Sequence, residues 1–178
     1  MRSKQLSFHG SGFKKPADWF GGGKLKSHPK TRRPLHSKLP IHLVLRARKS
    51  VLRLPKNQSV VEKTIRQTAR KYGIRIFEYA NVGNHLHLLI RVSNVALWRR
   101  FIREISGRIA QLARPADCDS AGGFWLNRPF TRIVRGWRRA YRVVRDYIVL
   151  NQLEAEGFID RAVMRSVRDL RRFIASTA

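Results

Sequence analysis

Apolar residues recur every second position in several short stretches and at helical spacing in several longer ones, and their order sketches a fold. Ile41 to Ala47 predicts a first strand, with Leu43 and Leu45 alternating against His42, Val44 and Arg46. Ser59 to Tyr72 carries Val60, Val61, Ile65, Ala69 and Tyr72 at helical spacing, with Lys63, Arg66 and Arg70 elsewhere on the cylinder and Gly73 as the stop. Ile74 to Ala80 is the next strand, and Val82-Gly83-Asn84 turns it into a second apolar run, Asn84 to Ile90, so the pair makes a hairpin. From Asn94 to Ala113 a stripe of Val95, Leu97, Trp98, Phe101, Ile102, Ile105, Ile109 and Leu112 predicts a helix ended by Pro115. A loop over residues 114–123 holds Cys118. Phe124-Trp125 and Pro129 to Val134 supply a further strand, and Trp137 to Leu153 is helical again.

Strand, helix, strand, strand, helix, strand is the order of an α+β domain. It predicts a ferredoxin-like split β-α-β antiparallel sheet with two helices on one face and a later helix, bearing Tyr147, over the other. The expected divisions are a basic flexible N-terminal arm over residues 1–38, the domain over 39–157 and a basic C-terminal helix over 158–178. In that last helix Ile159, Val163, Val167, Leu170 and Ile174 are spaced for packing, and Arg161, Arg165, Arg168, Arg171 and Arg172 line the other side.

The run Asn84-His85-Leu86-His87-Leu88-Leu89-Ile90 adds chemistry to this outline. On a strand, alternate side chains share a face, so His85 and His87 stand together while Leu86, Leu88 and Ile90 face the core. Two imidazoles roughly 7 Å apart converge on one cation when a third ligand comes from another element. On the late helix Tyr147 and Asn151 are four residues apart and project side by side, so a helix over the open face delivers a phenol and an amide oxygen together. Tyr141 lies about 240° around that helix from Tyr147 and reads as packing. His42, on the neighbouring strand, is read first as structural.

Charge narrows the partner. The 178 residues carry a formal net charge of +27 with a pI near 11.8, which points to a polyanion, and most simply to nucleic acid. The expected contacts are Arg46, Arg132, Arg135, Arg138, Arg139 and Arg142. The arm holds ten Lys or Arg against Asp18 alone, yet its Phe8, Phe13, Trp19 and Phe20 are suited to docking on the domain or stacking on unpaired bases. No stretch approaches the ~20 apolar residues of a spanning helix, so no membrane partner is expected. One cysteine rules out an internal disulfide and a multi-thiolate zinc site, and the expected location is the cytoplasm, in association with the nucleoid.

Taken together, the His-x-His run, the hairpin before it and the later Tyr147-x-x-x-Asn151 resemble the HUH single-tyrosine transposases of the IS200-like and REP-associated type. The resemblance runs from about Pro40 to about Gln152, with Ile41-His42-Leu43-Val44-Leu45-Arg46 similar to the family's opening strand. It implies a divalent metal, Mg²⁺ or Mn²⁺, on His85, His87 and Asn151, and Tyr147 as the nucleophile. It also implies nicking and rejoining of single-stranded, hairpin-forming DNA through a 5′-phosphotyrosine. Many insertion-sequence members have Gln where this chain has Asn151, so Gln152 stands as the fallback ligand. No small-molecule substrate is expected, and related enzymes occur as monomers and homodimers. The rival readings are a non-catalytic DNA-binding protein of the same fold and, more distantly, a two-histidine–carboxylate oxygenase, for which Asn151 is the wrong ligand.

Overall fold

The computed structural model describes residues 18–23, 32–114, 123–136, 138–160, 162, 164 and 166–177. Its elements run β1 (Trp19–Phe20), β2 (Ile41–Arg46), α1 (Pro55–Lys71), β3 (Ile74–Asn81), β4 (His85–Val92), a 3-10 turn (Val95–Leu97), α2 (Trp98–Ala113), β5 (Phe130–Ile133), α3 (Arg139–Ala155) and α4 (Val167–Thr177). The strands form one antiparallel sheet in the order β1-β5-β2-β4-β3. Apart from β1, this is the expected split β-α-β arrangement.

The two faces follow the alternation along β2 and β4. Leu43, Leu45, Leu86, Leu88 and Ile90 are buried on one side against Val61 and Ile65 of α1 and Phe101, Ile105 and Ile109 of α2. Each such aliphatic side chain contributes about 1.5–3 kcal/mol on burial, so this face dominates the stability of the domain. A smaller cluster on the other side joins Ala80, Leu89 and Val134 to Val144 and Ile148 of α3, with Tyr141 and Tyr147 at its margins. The helix packs chiefly on β3 and β4, and no described helix packs comparably on the same face of β5 and β1.

Several boundaries moved for local reasons. The first helix starts at Pro55 rather than Ser59 because proline suits the first turn, where its missing N–H has no partner to lose. Asn94 caps a 3-10 turn by accepting from the Ala96 N–H at 3.0 Å, and the α-helix itself begins at Trp98. The C-terminal helix begins at Val167, not Phe158. Ser166 and Asp169 cap it reciprocally, with Ser166 N–H donating to the Asp169 carboxylate at 2.9 Å and Asp169 N–H donating to Ser166 Oγ at 3.2 Å. That serine and the acidic residue three positions on were the missed signal.

Residues 18–23 of the basic arm are joined to the domain, since Trp19 and Phe20 pair with Arg132 and Thr131 of β5. Pro115, Cys118 and Trp137, together with Phe8, Phe13, Arg161, Val163 and Arg165, lie outside the described residues, as do the side chains of Arg171 and Ile174.

Candidate nucleic-acid processing site

The register of β2 on β4 pairs Arg46 with His85 and Val44 with His87, and β5 on β2 pairs His42 with Arg132. Directly opposed residues share a face. Arg46, His85, His87, His42 and Arg132 therefore all rise from the side of the sheet that α3 partly covers. Because Leu88 and Leu43 are drawn into the main core, the residues that flank them on their strands have no choice but to stand here.

Three imidazoles form a row. The rings of His85 and His87 are stacked with centroids 5.9 Å apart, and those of His87 and His42 with centroids 5.5 Å apart. Tyr147 of α3 lies edge-on over this row, 5.6 Å from His87 and 6.1 Å from His42 between ring centres. The sheet and the late helix thus bring Tyr147 and the histidines together within one chain.

Each histidine of the pair has its Nδ1 engaged. Asn84 Oδ1 lies 2.6 Å from His85 Nδ1; an amide oxygen can only accept, so the proton sits on Nδ1 and the lone pair on Nε2. His87 Nδ1 lies 3.3 Å from His42 Nε2, while His87 Nε2 is buried with no hydrogen-bond partner. Arg46 Nε, across the ladder from His85, is the other buried atom of this face left without one among the described residues. An orphaned imidazole nitrogen and an orphaned guanidinium N–H on one face of the sheet fit a site that receives a cation and an anion together.

Burial keeps these rings neutral. The His42 pKa falls from 6.5 to about 4 through desolvation and then the charge of Arg132, and that of His85 falls to about 4 through desolvation and then Arg46. His87 is pushed well below its ordinary value by burial first, then by His42 and His85. A neutral imidazole is the form that binds a metal. Among the described residues no group of three or more His, Cys, Asp or Glu side chains is placed to hold one.

Asn151 is buried one turn past the tyrosine, and its Nδ2 donates to the Tyr147 carbonyl at 2.6 Å, which leaves Oδ1 as the atom with ligand chemistry. Gln152 is otherwise employed. Its Oε1 accepts from Asn81 N–H at 2.8 Å and ties α3 to the end of β3.

The arginines that look like one run in sequence are dispersed. Arg132 stands on the sheet with its guanidinium 5.0 Å from the centre of the Trp19 ring. Arg135 is held by Asp18, with Nε 2.7 Å from Oδ2. Arg138 and Arg142 line a cleft with Arg75, Phe77, Tyr141 and Arg145 on the β3 side of α3, whereas Arg139 is exposed at the helix start. Tyr141 packs edge-on against Phe77 at 5.8 Å, in keeping with its reading as a packing residue.

Fold and site together define a class: an antiparallel-sheet domain that presents paired histidines to a tyrosine on a covering helix. The sequence matches the model of the family described as IS200-like transposases over residues 36–151, and the chain belongs to that family. Its fold is similar to that of a REP-associated tyrosine transposase bound to a REP hairpin, with a TM-score of 0.57 and 16% identity over 74% of this chain and 76% of that one. A transposase candidate from Deinococcus radiodurans aligns with a TM-score of 0.46 and 19% identity over 70% of this chain and 98% of that one. No curated protein matches the sequence. Family membership makes this a transposase-like protein that acts on DNA. No described helix is long and apolar enough to cross a membrane.

Proposed function

We propose that the protein cleaves and rejoins single-stranded DNA at hairpin-forming sequences, using Tyr147 as the nucleophile and a divalent metal held by His85, His87 and Asn151. The observation that carries this reading is the buried, unpartnered Nε2 of His87 beneath the ring of Tyr147. The REP-associated relative of the same fold is bound to a hairpin, which supports a similar substrate here.

A phosphodiester repels nucleophiles with its own charge, so the site must neutralise that charge and position the attacking atom. Mg²⁺ or Mn²⁺, when bound, would supply Lewis acidity at the scissile phosphate. The chain's own residues do the rest. His85 and His87 offer Nε2 lone pairs fixed by Asn84 and His42, and Asn151 offers an amide oxygen from the helix. Arg46 has an N–H to give to a phosphate oxygen. Attack of the Tyr147 oxygen on phosphorus forms an O–P bond and breaks the P–O3′ bond. The phenolic proton passes to solvent or a nearby base, and the departing oxygen takes up a proton as the free 3′-hydroxyl. The 5′-phosphotyrosine conserves the ester energy, so attack by another 3′-hydroxyl rejoins strands without a nucleotide cofactor.

Incubating labelled hairpin strands with the protein and Mn²⁺ tests the proposal. A denaturation-resistant protein–DNA adduct is expected from wild type, absent with Tyr147→Phe and with chelator. Salt-sensitive binding with no adduct across a broad hairpin library, indifferent to both controls, would identify a non-catalytic DNA-binding protein instead.

A further inference from the structure

The half of the site face that α3 leaves open carries an arrangement the cleavage chemistry does not use. Trp19 and Phe130 meet edge to face with centroids 5.9 Å apart, and Phe130 in turn meets His42 at 6.4 Å. Since His42 touches Tyr147, a continuous file of rings leads from the edge strand to the nucleophile. Trp19, Phe130 and Arg132 are each only partly buried.

The strand that brings Trp19 here is firmly seated. Asp18 takes two bonds from Arg135 Nε, at 2.8 and 2.7 Å, and its carbonyl accepts from Ile133 N–H at 3.1 Å. Gly22 N–H donates to the Arg128 carbonyl and Arg128 N–H to the Gly23 carbonyl, both at 3.1 Å. Gly21 has φ +86°, and a Cβ there would fall 2.1 Å from the Pro129 carbonyl oxygen, so only glycine lets the chain lie this close to β5. Trp19 itself lies outside the residues 36–151 that match the family.

We propose that Trp19 and Phe130 form a stacking platform for an unpaired nucleobase of the DNA strand, a few nucleotides from the phosphate presented to Tyr147, with Arg132 holding the adjoining backbone phosphate. This deepens the reading of the protein as a single-strand cleaving enzyme and rests on it. The occupant is set by chemistry: an indole ring set at 80° to Phe130, with the Arg132 guanidinium 5.0 Å from its centre, on a chain of net charge +27, suits a base with its phosphate, and stacking of this kind tolerates any base. An apolar protein segment would find the arginine at the centre of its contact.

The test is polarisation-monitored binding of labelled hairpin strands to the full chain in the presence of chelator, with single abasic sites scanned along the unpaired flank. Wild type is expected to show one position where loss of the base weakens binding about 5- to 150-fold. Trp19→Ala should bind the intact strand correspondingly less well, yet bind that abasic strand as wild type does, and Trp19→Phe should stay within a few-fold of wild type. Arg132→Gln should lower the dependence of log affinity on log salt by about 0.7, one single-strand phosphate contact. If no position in the wild-type scan is sensitive, or if the Trp19→Ala loss is the same on every strand, the platform is refuted. The wild-type scan and Arg132→Gln decide the matter even if Trp19→Ala unfolds. Failure of the platform leaves Tyr147-dependent adduct formation intact, whereas a protein that prefers duplex to single strand and forms no adduct removes the proposed function as well.

Discussion

His42 is buried beside His87, and its replacement by Phe gives the sharpest prediction. The change keeps a flat ring in the stack but removes the Nε2 atom that lies 3.3 Å from His87 Nδ1. For His87 to offer its Nε2 lone pair, Nδ1 must carry the proton and His42 must accept it. His87 is only 2% exposed, so water does not replace the lost acceptor. Either the Nδ1–H stays unsatisfied, at about 1–3 kcal/mol, or the tautomer flips and the lone pair leaves Nε2. Both routes weaken metal binding, and loss of such a supporting partner costs about 10- to 100-fold in affinity. The assay is Mn²⁺ titration followed by electron paramagnetic resonance at neutral pH, on wild type, His42→Phe and His42→Gln, with thermal melts to confirm folding. The Phe variant should bind 10- to 100-fold more weakly, and Gln, whose amide oxygen can accept, should recover part of the loss. A Phe variant with wild-type affinity, or a Gln variant as impaired as Phe, refutes the tautomer reasoning, and a wild type without measurable Mn²⁺ affinity refutes the metal site itself.

Acid should destabilise the fold through the same ring. His42 keeps a pKa near 4 in the folded chain against 6.5 when unfolded, so between these values the unfolded state binds a proton the folded state refuses, and stability falls as pH falls. At pH 5 the loss from His42 is about 2 kcal/mol; urea midpoints at pH 7 and pH 5 measure it, and a difference that persists unchanged in His42→Phe would assign it elsewhere. Gly83 has φ +89° and a Cβ there would meet Ser50 Oγ at 2.5 Å, so Gly83→Ala should disturb the turn that delivers His85, lowering both melting temperature and Mn²⁺ affinity; a variant with both unchanged would contradict this. Leu88→Ala empties a fully buried site between the histidines' strand and the two helices and should cost about 2–5 kcal/mol in chemical denaturation, with a loss under 1 kcal/mol counting against the core as described.

Alternation of apolar and polar residues by itself determined which way β2 and β4 face, because a one-residue slip would have put Leu86, Leu88 and Ile90 in water and the histidines in the main core. Helical spacing likewise determined that Tyr147 and Asn151 share a side of one helix, since that relation is local. What lay beyond reach was anything set by pairing between distant strands. The register of β2 on β4 makes His42 the neighbour that orients His87, and no local pattern in Ile41–Arg46 distinguishes that role from ordinary packing. Tertiary structure also broke up the arginine run, sending Arg132 of β5 to Trp19 and Arg135, in the connection that follows, to Asp18, before the remaining arginines enter α3. Two residues, Trp19 and Phe20, are too short a stretch to announce a strand. They become one only because β5 would otherwise present an unpaired edge, and their backbone groups find partners there.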